Sequence, residues 1–193
     1  MNKLKYIIII AIIGVFTLSS CGYNSMVNKE EAVSAQWAQV ENAYQRRADL
    51  IPNRVSTVKG YAAHEQETFT AVVDARARAT QVNVNSEELT DEGIEKFQKA
   101  QGQLSAALGK LLMIRENYPE LKANQNFLAL QDQLEGTENR IAVERNRFNE
   151  FAREYNQYIR RFPHVIYAGW FGFTKKGYFE ADAGAQTAPV VDF

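Results

Sequence analysis

Cysteine occurs once in this chain and histidine twice, and that scarcity removes several kinds of chemistry. A lone Cys21 forms no internal disulfide and supports no zinc site of the multi-cysteine type. His64 and His164 stand in no Glu-x-x-His or His-Glu-x-x-His pattern, so no metal site is expected. There is no glycine-rich phosphate loop, and no cofactor is expected. An excess of one charge is also missing. Lys and Arg number 22 against 23 Asp and Glu, a formal net charge of −1, so no global field draws nucleic acid. No basic run is interleaved with aromatics as in single-strand binders. Proline occurs only at positions 52, 119, 163 and 189, which leaves long stretches where helices run uninterrupted.

What is present begins with a targeting segment. Lys3 and Lys5 precede the apolar run Tyr6–Leu18. The run has the length of a secretory h-region and falls short of the roughly 20 residues that span a bilayer. Leu18-Ser19-Ser20-Cys21 resembles a bacterial lipobox, in which small residues fit a narrow peptidase site and the cysteine thiol accepts lipid. Cys21 is therefore the expected lipid anchor, with two or more acyl chains giving stable attachment. The alternative is an uncleaved single span that recruits Thr17–Cys21. Cleavage removes both N-terminal lysines and leaves a net charge of −3, so the acyl chains rather than electrostatics would hold the membrane. Gly22, not aspartate, follows the cysteine, which favours an outer-membrane anchor where such a membrane exists. The expected division is a signal peptide over 1–20, a lipidated linker over 21–26, a helical bundle over 27–162 and a tail over 163–193 packed on the bundle. So short a linker keeps the bundle near the bilayer.

The body has helical periodicity. Val33, Trp37, Val40, Tyr44 and Ala48 form one stripe, and Val55, Val58, Ala62, Phe69 and Val72 resume it after Pro52. The polar stretch Val82–Gly93 is a loop with Ser86, Thr90 and Asp91 as candidate caps. A third helix over about Glu92–Asn117 has Ile94, Phe97, Leu104, Leu108 and Leu111 on its core face. Its small residues Gly102, Ala106 and Gly109 are expected to admit a neighbouring helix closely. A fourth helix, Glu120–Phe162, carries Phe127, Leu134, Ile141, Phe148, Tyr155 and Phe162 at intervals of seven, with Leu130, Phe151 and Tyr158 as a second row. That coiled-coil-like seam predicts packing at a shallow crossing angle. The fold class is all-α, an antiparallel four-helix up-and-down bundle.

The tail differs in kind. Tyr167, Trp170, Phe171, Phe173, Tyr178 and Phe179 stand among glycines, a composition unlike that of disordered segments. Packing along the bundle is expected, with contact to a partner or to the membrane interface as alternatives.

Three blocks now carry a resemblance: QRRADLIPNRVSTVKGYAAHE (45–65), ENYPELKANQNFLALQDQLEGTENRIAVERNRFNEFAREYNQYIRRFP (116–163) and GFTKKGYFEADAGAQTAPVVDF (172–193). They are similar to the LemA family over nearly all of residues 23–193. The resemblance implies an antiparallel bundle of long helices, membrane association, no established enzymatic activity and no catalytic residues to carry over. Family members typically begin with a transmembrane helix, whereas this chain shows a lipobox.

The functional expectation is a membrane-tethered, non-catalytic scaffold or adaptor for another envelope protein. Arg46, Arg47, Trp170 and Phe171 are the candidate contact surface. An enzyme is the weaker reading. Its candidates Asp49 and His64 lie about 22 Å apart along a straight helix, and His64 and Glu65 point about 100° apart. A small-ligand or lipid carrier is the third reading, with Glu138, Asn139, Arg140, Arg145, Arg147, Asn149 and Asn156 as a polar lining, or else as a solvated face and interhelix hydrogen bonds.

The stretch QRRADLIPN (45–53) is read as a helix junction. Asp49 would cap a new helix, Pro52 would fall in its first turn, and Arg46 and Arg47 would suit the end of the preceding one. The rival is one long helix passing through Pro52.

Overall fold

The structure is a computed structural model that describes the backbone of residues 2–59 and 65–180, and the side chains of residues 22–52 and 65–180 except Lys122. Among the described residues there is no strand. Six α-helices follow one another among the described residues: α1 (Asn2–Lys59), α2 (Gln66–Gln81), α3 (Asp91–Met113), α4 (Pro119–Lys122), α5 (Gln125–Arg160) and α6 (His164–Ala168). Short 3-10 turns lie at Ser86–Glu88 and Ile114–Glu116.

The junction expected at Pro52 does not exist. Helix α1 continues through the proline to Lys59, so the longer-helix reading is the one the fold adopts. A proline inside a helix removes the hydrogen bond to the carbonyl four residues back, here Ala48. Arg76 on α2 replaces it, donating from Nε to Ala48 O at 2.8 Å. Asp49 caps nothing. It is exposed and accepts from Gln45 Nε2 within the same helix. Residues 21–26, the expected lipidated linker, are helical and continuous with the rest of α1.

The other boundaries follow from caps. Thr90 starts α3, its hydroxyl accepting from Gly93 N–H. The fourth long helix starts at Gln125, not Glu120. Asn124 Oδ1 accepts from the N–H groups of Asn126 and Phe127, which separates α5 from the short α4.

Helices α1 and α5 run antiparallel. Lys29 meets Glu154, Gln36 meets Glu144 and Arg47 meets Glu138, so one numbering rises as the other falls. Helices α2 and α3 form a second antiparallel pair. The core divides along the long axis. One part gathers Met26, Val33, Trp37, Phe148 and Tyr155 with Phe173 and Phe179 of the tail. The other gathers Ile51, Phe69, Val72, Leu104, Leu111 and Phe127. The tail thus covers the stretch of α1 and α5 that α2 does not pack against.

Among the residues with described side chains, the expected stripes of α1 and α3 are buried. On α5 the seam is buried from Phe127 to Tyr155, but Phe162 lies beyond the helix end and is 80% exposed. Phe151 of the second row is exposed too, and Ala152 takes the core position. Gly102, Ala106 and Gly109 face solvent, and nothing lies within 4 Å of a Cβ built on either glycine, so no neighbouring helix is admitted there. Val55 and Val58 lie outside the residues with described side chains, and Ala62 outside the described residues.

Candidate functional site

Arg47 was expected at a surface and is 1% exposed. Its guanidinium joins three helices. Nη1 donates to Ser105 Oγ at 2.7 Å and to Glu138 Oε1, and Nη2 donates to Gln101 Oε1 at 2.8 Å and to Gln101 O at 3.2 Å. Tyr44 stacks beneath it, 5.1 Å from the ring centroid. Gln101 Nε2 in turn donates to Ala79 O, which ties in α2. This is a node that fixes four helices. Arg46, by contrast, is exposed and borders a shallow groove with Gln133 and Arg140.

A second polar cluster holds the tail. Asn156 and Asn149 lie seven residues apart on α5, and each clasps the tail backbone by two hydrogen bonds. Asn156 Nδ2 donates to Lys176 O at 2.7 Å, and Lys176 N–H donates to Asn156 Oδ1 at 2.9 Å. Asn149 Nδ2 donates to Phe179 O at 2.9 Å, and Phe179 N–H donates to Asn149 Oδ1 at 2.8 Å. Gln98 repeats the pattern on Glu180 from α3. The buried Lys176 ammonium pairs with Glu30 at 2.8 Å and donates to Ser86 O. Tyr155 donates its hydroxyl to Glu30 Oε1. Burial first, and then the Glu30 charge, push that phenol well above its ordinary range, so it stays a neutral donor.

The polar run of α5 that was offered as a ligand lining is therefore engaged otherwise. Glu138 pairs with Arg47, Asn149 and Asn156 hold the tail, and Arg145 donates to Glu180 O. Arg140 and Arg147 flank the buried Glu144, which accepts from Gln36 at 2.9 Å. An open, polar groove of about 270 Å³ runs beside Glu41, Tyr44, Thr80, Asn83 and Gln101. Burial raises the Glu41 carboxyl above the ordinary carboxylate range, an effect the Trp37 indole partly opposes.

The enzyme candidates do not converge. Asp49 bonds Gln45, Glu65 accepts from the Tyr118 hydroxyl, and His64 lies outside the described residues. Among the described residues no group of His, Cys, Asp or Glu is arranged to hold a metal ion.

The remaining candidates lie at one end of the bundle. Trp170 is 81% and Phe171 57% exposed. Tyr23 of α1 meets Phe171 and Phe173 at centroid distances of 5.0 and 5.6 Å. Side chains of residues 1–21, Cys21 and the apolar run among them, lie outside the description. Among the residues described with side chains, no helix is long and apolar enough to cross a membrane. Sequence reasoning missed the bond from Arg76 to the Ala48 carbonyl that Pro52 leaves without its helical donor, and it missed the clasp on the tail. The heptad spacing of Asn149 and Asn156 was the available signal for the clasp.

A sequence model of the LemA family matches residues 36–193. The magnetosome protein MamQ of Magnetospirillum gryphiswaldense is 27% identical over 95% of this chain and 73% of its own length. Magnetosome protein MamQ 2 of Paramagnetospirillum magneticum is 26% identical over 98% of this chain and 76% of its own. Protein LemA of Metamycoplasma hominis is 21% identical over 78% of this chain and 65% of its own.

Proposed function

The chain belongs to the LemA family, and from that premise we propose that it is a membrane-anchored, non-catalytic helical scaffold that holds another envelope protein. The observation that carries this reading is the use made of the buried charges. Arg47, Glu144 and Lys176 are each engaged in contacts that join one structural element to another. Such groups stiffen a rod and define its register. Two relatives bear names that refer to a cellular structure, the magnetosome, and not to a reaction.

Anchoring rests on the sequence. The apolar run Tyr6–Leu18 ends three residues before Cys21, and α1 carries the chain from there into the bundle. Lipidation of Cys21, a bundle outside the cytoplasm and an outer-membrane location are the finer elements of the proposal. A single N-terminal span is the alternative topology.

The test is cross-linking of the full chain in native membranes, followed by mass spectrometry. A reproducible protein partner attached to exposed residues is expected. A chain that cross-links to no protein, and that instead retains a small molecule through purification, contradicts the scaffold reading and supports the carrier.

A further inference from the structure

We propose that the apolar rim of Phe162, Val165, Ile166, Trp170 and Phe171 is a second membrane contact, which beds this end of the bundle in the lipid headgroup layer beside α1. The inference rests on the anchoring proposed above, and it assigns Trp170 and Phe171 to lipid and not to a protein.

Exposure first sets the rim apart. Of the eleven large hydrophobic residues exposed among the described ones, six gather at this end, counting Tyr23, while the others are spread along the helices. Scattered apolar residues are ordinary on a protein surface, whereas a gathered set marks a contact.

The rim is also held outward by its backbone. After α6, Phe173 N–H donates to Ala168 O at 3.0 Å and Gly172 N–H donates to Gly169 O at 3.3 Å. With Gly172 at φ 80°, these two bonds form a Schellman motif. Its characteristic apolar pair, Phe173 and Ala168, is buried. Trp170 and Phe171 are the last two residues before Gly172, so the turn that buries Phe173 leaves both rings in water. Exposing an indole this fully while ordering its backbone leaves apolar area unburied, which an interfacial lipid environment would cover.

Position identifies the occupant. The Tyr167 hydroxyl and the His164 ring lie against Gly22 of α1, and Tyr23 meets Phe171 edge to face. The rim is therefore level with residues 22–23, directly after Cys21. From Leu18 to Tyr23 a helix rises about 7.5 Å. The layer between hydrocarbon and water is roughly 5–8 Å deep on each side of a bilayer. If Tyr6–Leu18 enters the hydrocarbon, the rim falls within that layer. If Cys21 is acylated instead, the rim is nearer still. Both modes of attachment bring the same residues within that layer, where tryptophan and tyrosine are favoured.

Charge agrees. No aspartate or glutamate occurs from Tyr155 to Phe179 or from Gly22 to Lys29, and Arg160 and Arg161 are exposed beside the rim. An end without carboxylates and with flanking arginines suits phosphate headgroups.

The test uses the full chain, purified from membranes and reconstituted into phosphatidylcholine–phosphatidylglycerol vesicles with or without brominated acyl chains. The chain has two tryptophans, and Trp37 is buried among Phe97, Phe148 and Phe179. Brominated lipid is expected to remove roughly half of the tryptophan emission, and the Trp170→Phe variant to lose that sensitivity. Trp170 is exposed, so the substitution leaves the core intact. A chain that floats with the vesicles yet emits equally in both lipids overturns the inference and leaves the anchoring intact. Protection of Trp170 from acrylamide in native membranes without lipid quenching also overturns it, in favour of a protein partner. A chain that does not float with the vesicles overturns the anchoring itself, and the inference with it.

Discussion

Arg76 supplies the hydrogen bond that Pro52 withholds: its Nε donates to the Ala48 carbonyl at 2.8 Å, the oxygen that residue 52 would bond in an unbroken helix. The two residues lie on different helices, and Arg76 bonds the carbonyl that Pro52, having no N–H, leaves without its helical donor. Their effects on stability are therefore coupled. Arg76→Leu alone leaves a buried carbonyl without its charged donor and costs about 1–3 kcal/mol. In a Pro52→Ala background the helix supplies its own N–H, so the same substitution costs less by about 1 kcal/mol or more. Urea unfolding of the four chains of this double-mutant cycle measures the difference, and strict additivity would refute the coupling.

Arg47 and Glu138 are unequal partners, since the arginine side chain is 1% and the glutamate 47% exposed. Water reaches the glutamate end, so Glu138→Gln costs about 1 kcal/mol. Arg47→Ala empties a long buried site and strands Gln101 and Ser105, at a cost of about 3–5 kcal/mol. Arg47→Met keeps most of the volume and falls between the two. Midpoints of denaturant unfolding should show this order.

Two glycines should respond in opposite senses. A Cβ at Gly177 would lie 2.6 Å from Asp91 N and 2.7 Å from Asp91 Cα, both backbone, so Gly177→Ala displaces the tail. A loss of about 1–3 kcal/mol is expected, with faster amide exchange over residues 176–180. At Gly102 nothing lies within 4 Å, and Gly102→Ala in an exposed helix turn should stabilise by about 0.5–1 kcal/mol.

Glu41 gives a pH signature. Its folded-state pKa is raised, by burial above all, from the ordinary 4.5. A raised value means that the relative stability is present below the unfolded-state pKa and is lost as pH rises through the folded-state one. At neutral pH the ionised carboxylate is penalised in the fold, so Glu41→Gln should melt higher than the parent. The gap should close below pH 4.5, where both states bind the proton. Thermal melts at neutral and acidic pH check this; a gap that is constant across pH contradicts it.

The long helices were legible because burial follows a period of three and four, and Val33, Trp37, Val40 and Tyr44 kept it without fault. Arg47 lies on that same stripe, three residues after Tyr44, and was read as exposed because a charge is usually solvated. Glu144 is another buried charge on such a stripe, seven residues after the buried Thr137 and fourteen after the buried Leu130 of α5. Pro52 misled for a different reason. Local propensity sets a break there, and the donor that makes continuation affordable sits on another helix, which no window along the chain reveals. Of the candidate contact residues, Arg46, Trp170 and Phe171 face solvent as a contact surface requires, and Arg47 does not. Phe162 fitted the heptad count but fell past the end of α5, ahead of Pro163.

The proposal as a whole depends on attachment at the N-terminal end of α1. The most direct measurement is flotation of the full chain with its native membranes after an alkaline wash, beside Cys21→Ser, with intact mass read on each. The proposal predicts that the parent chain floats and begins at an acylated Cys21, and that the serine variant is neither acylated nor cut at that position. A parent chain recovered in the soluble fraction, with an unmodified Cys21, would contradict it.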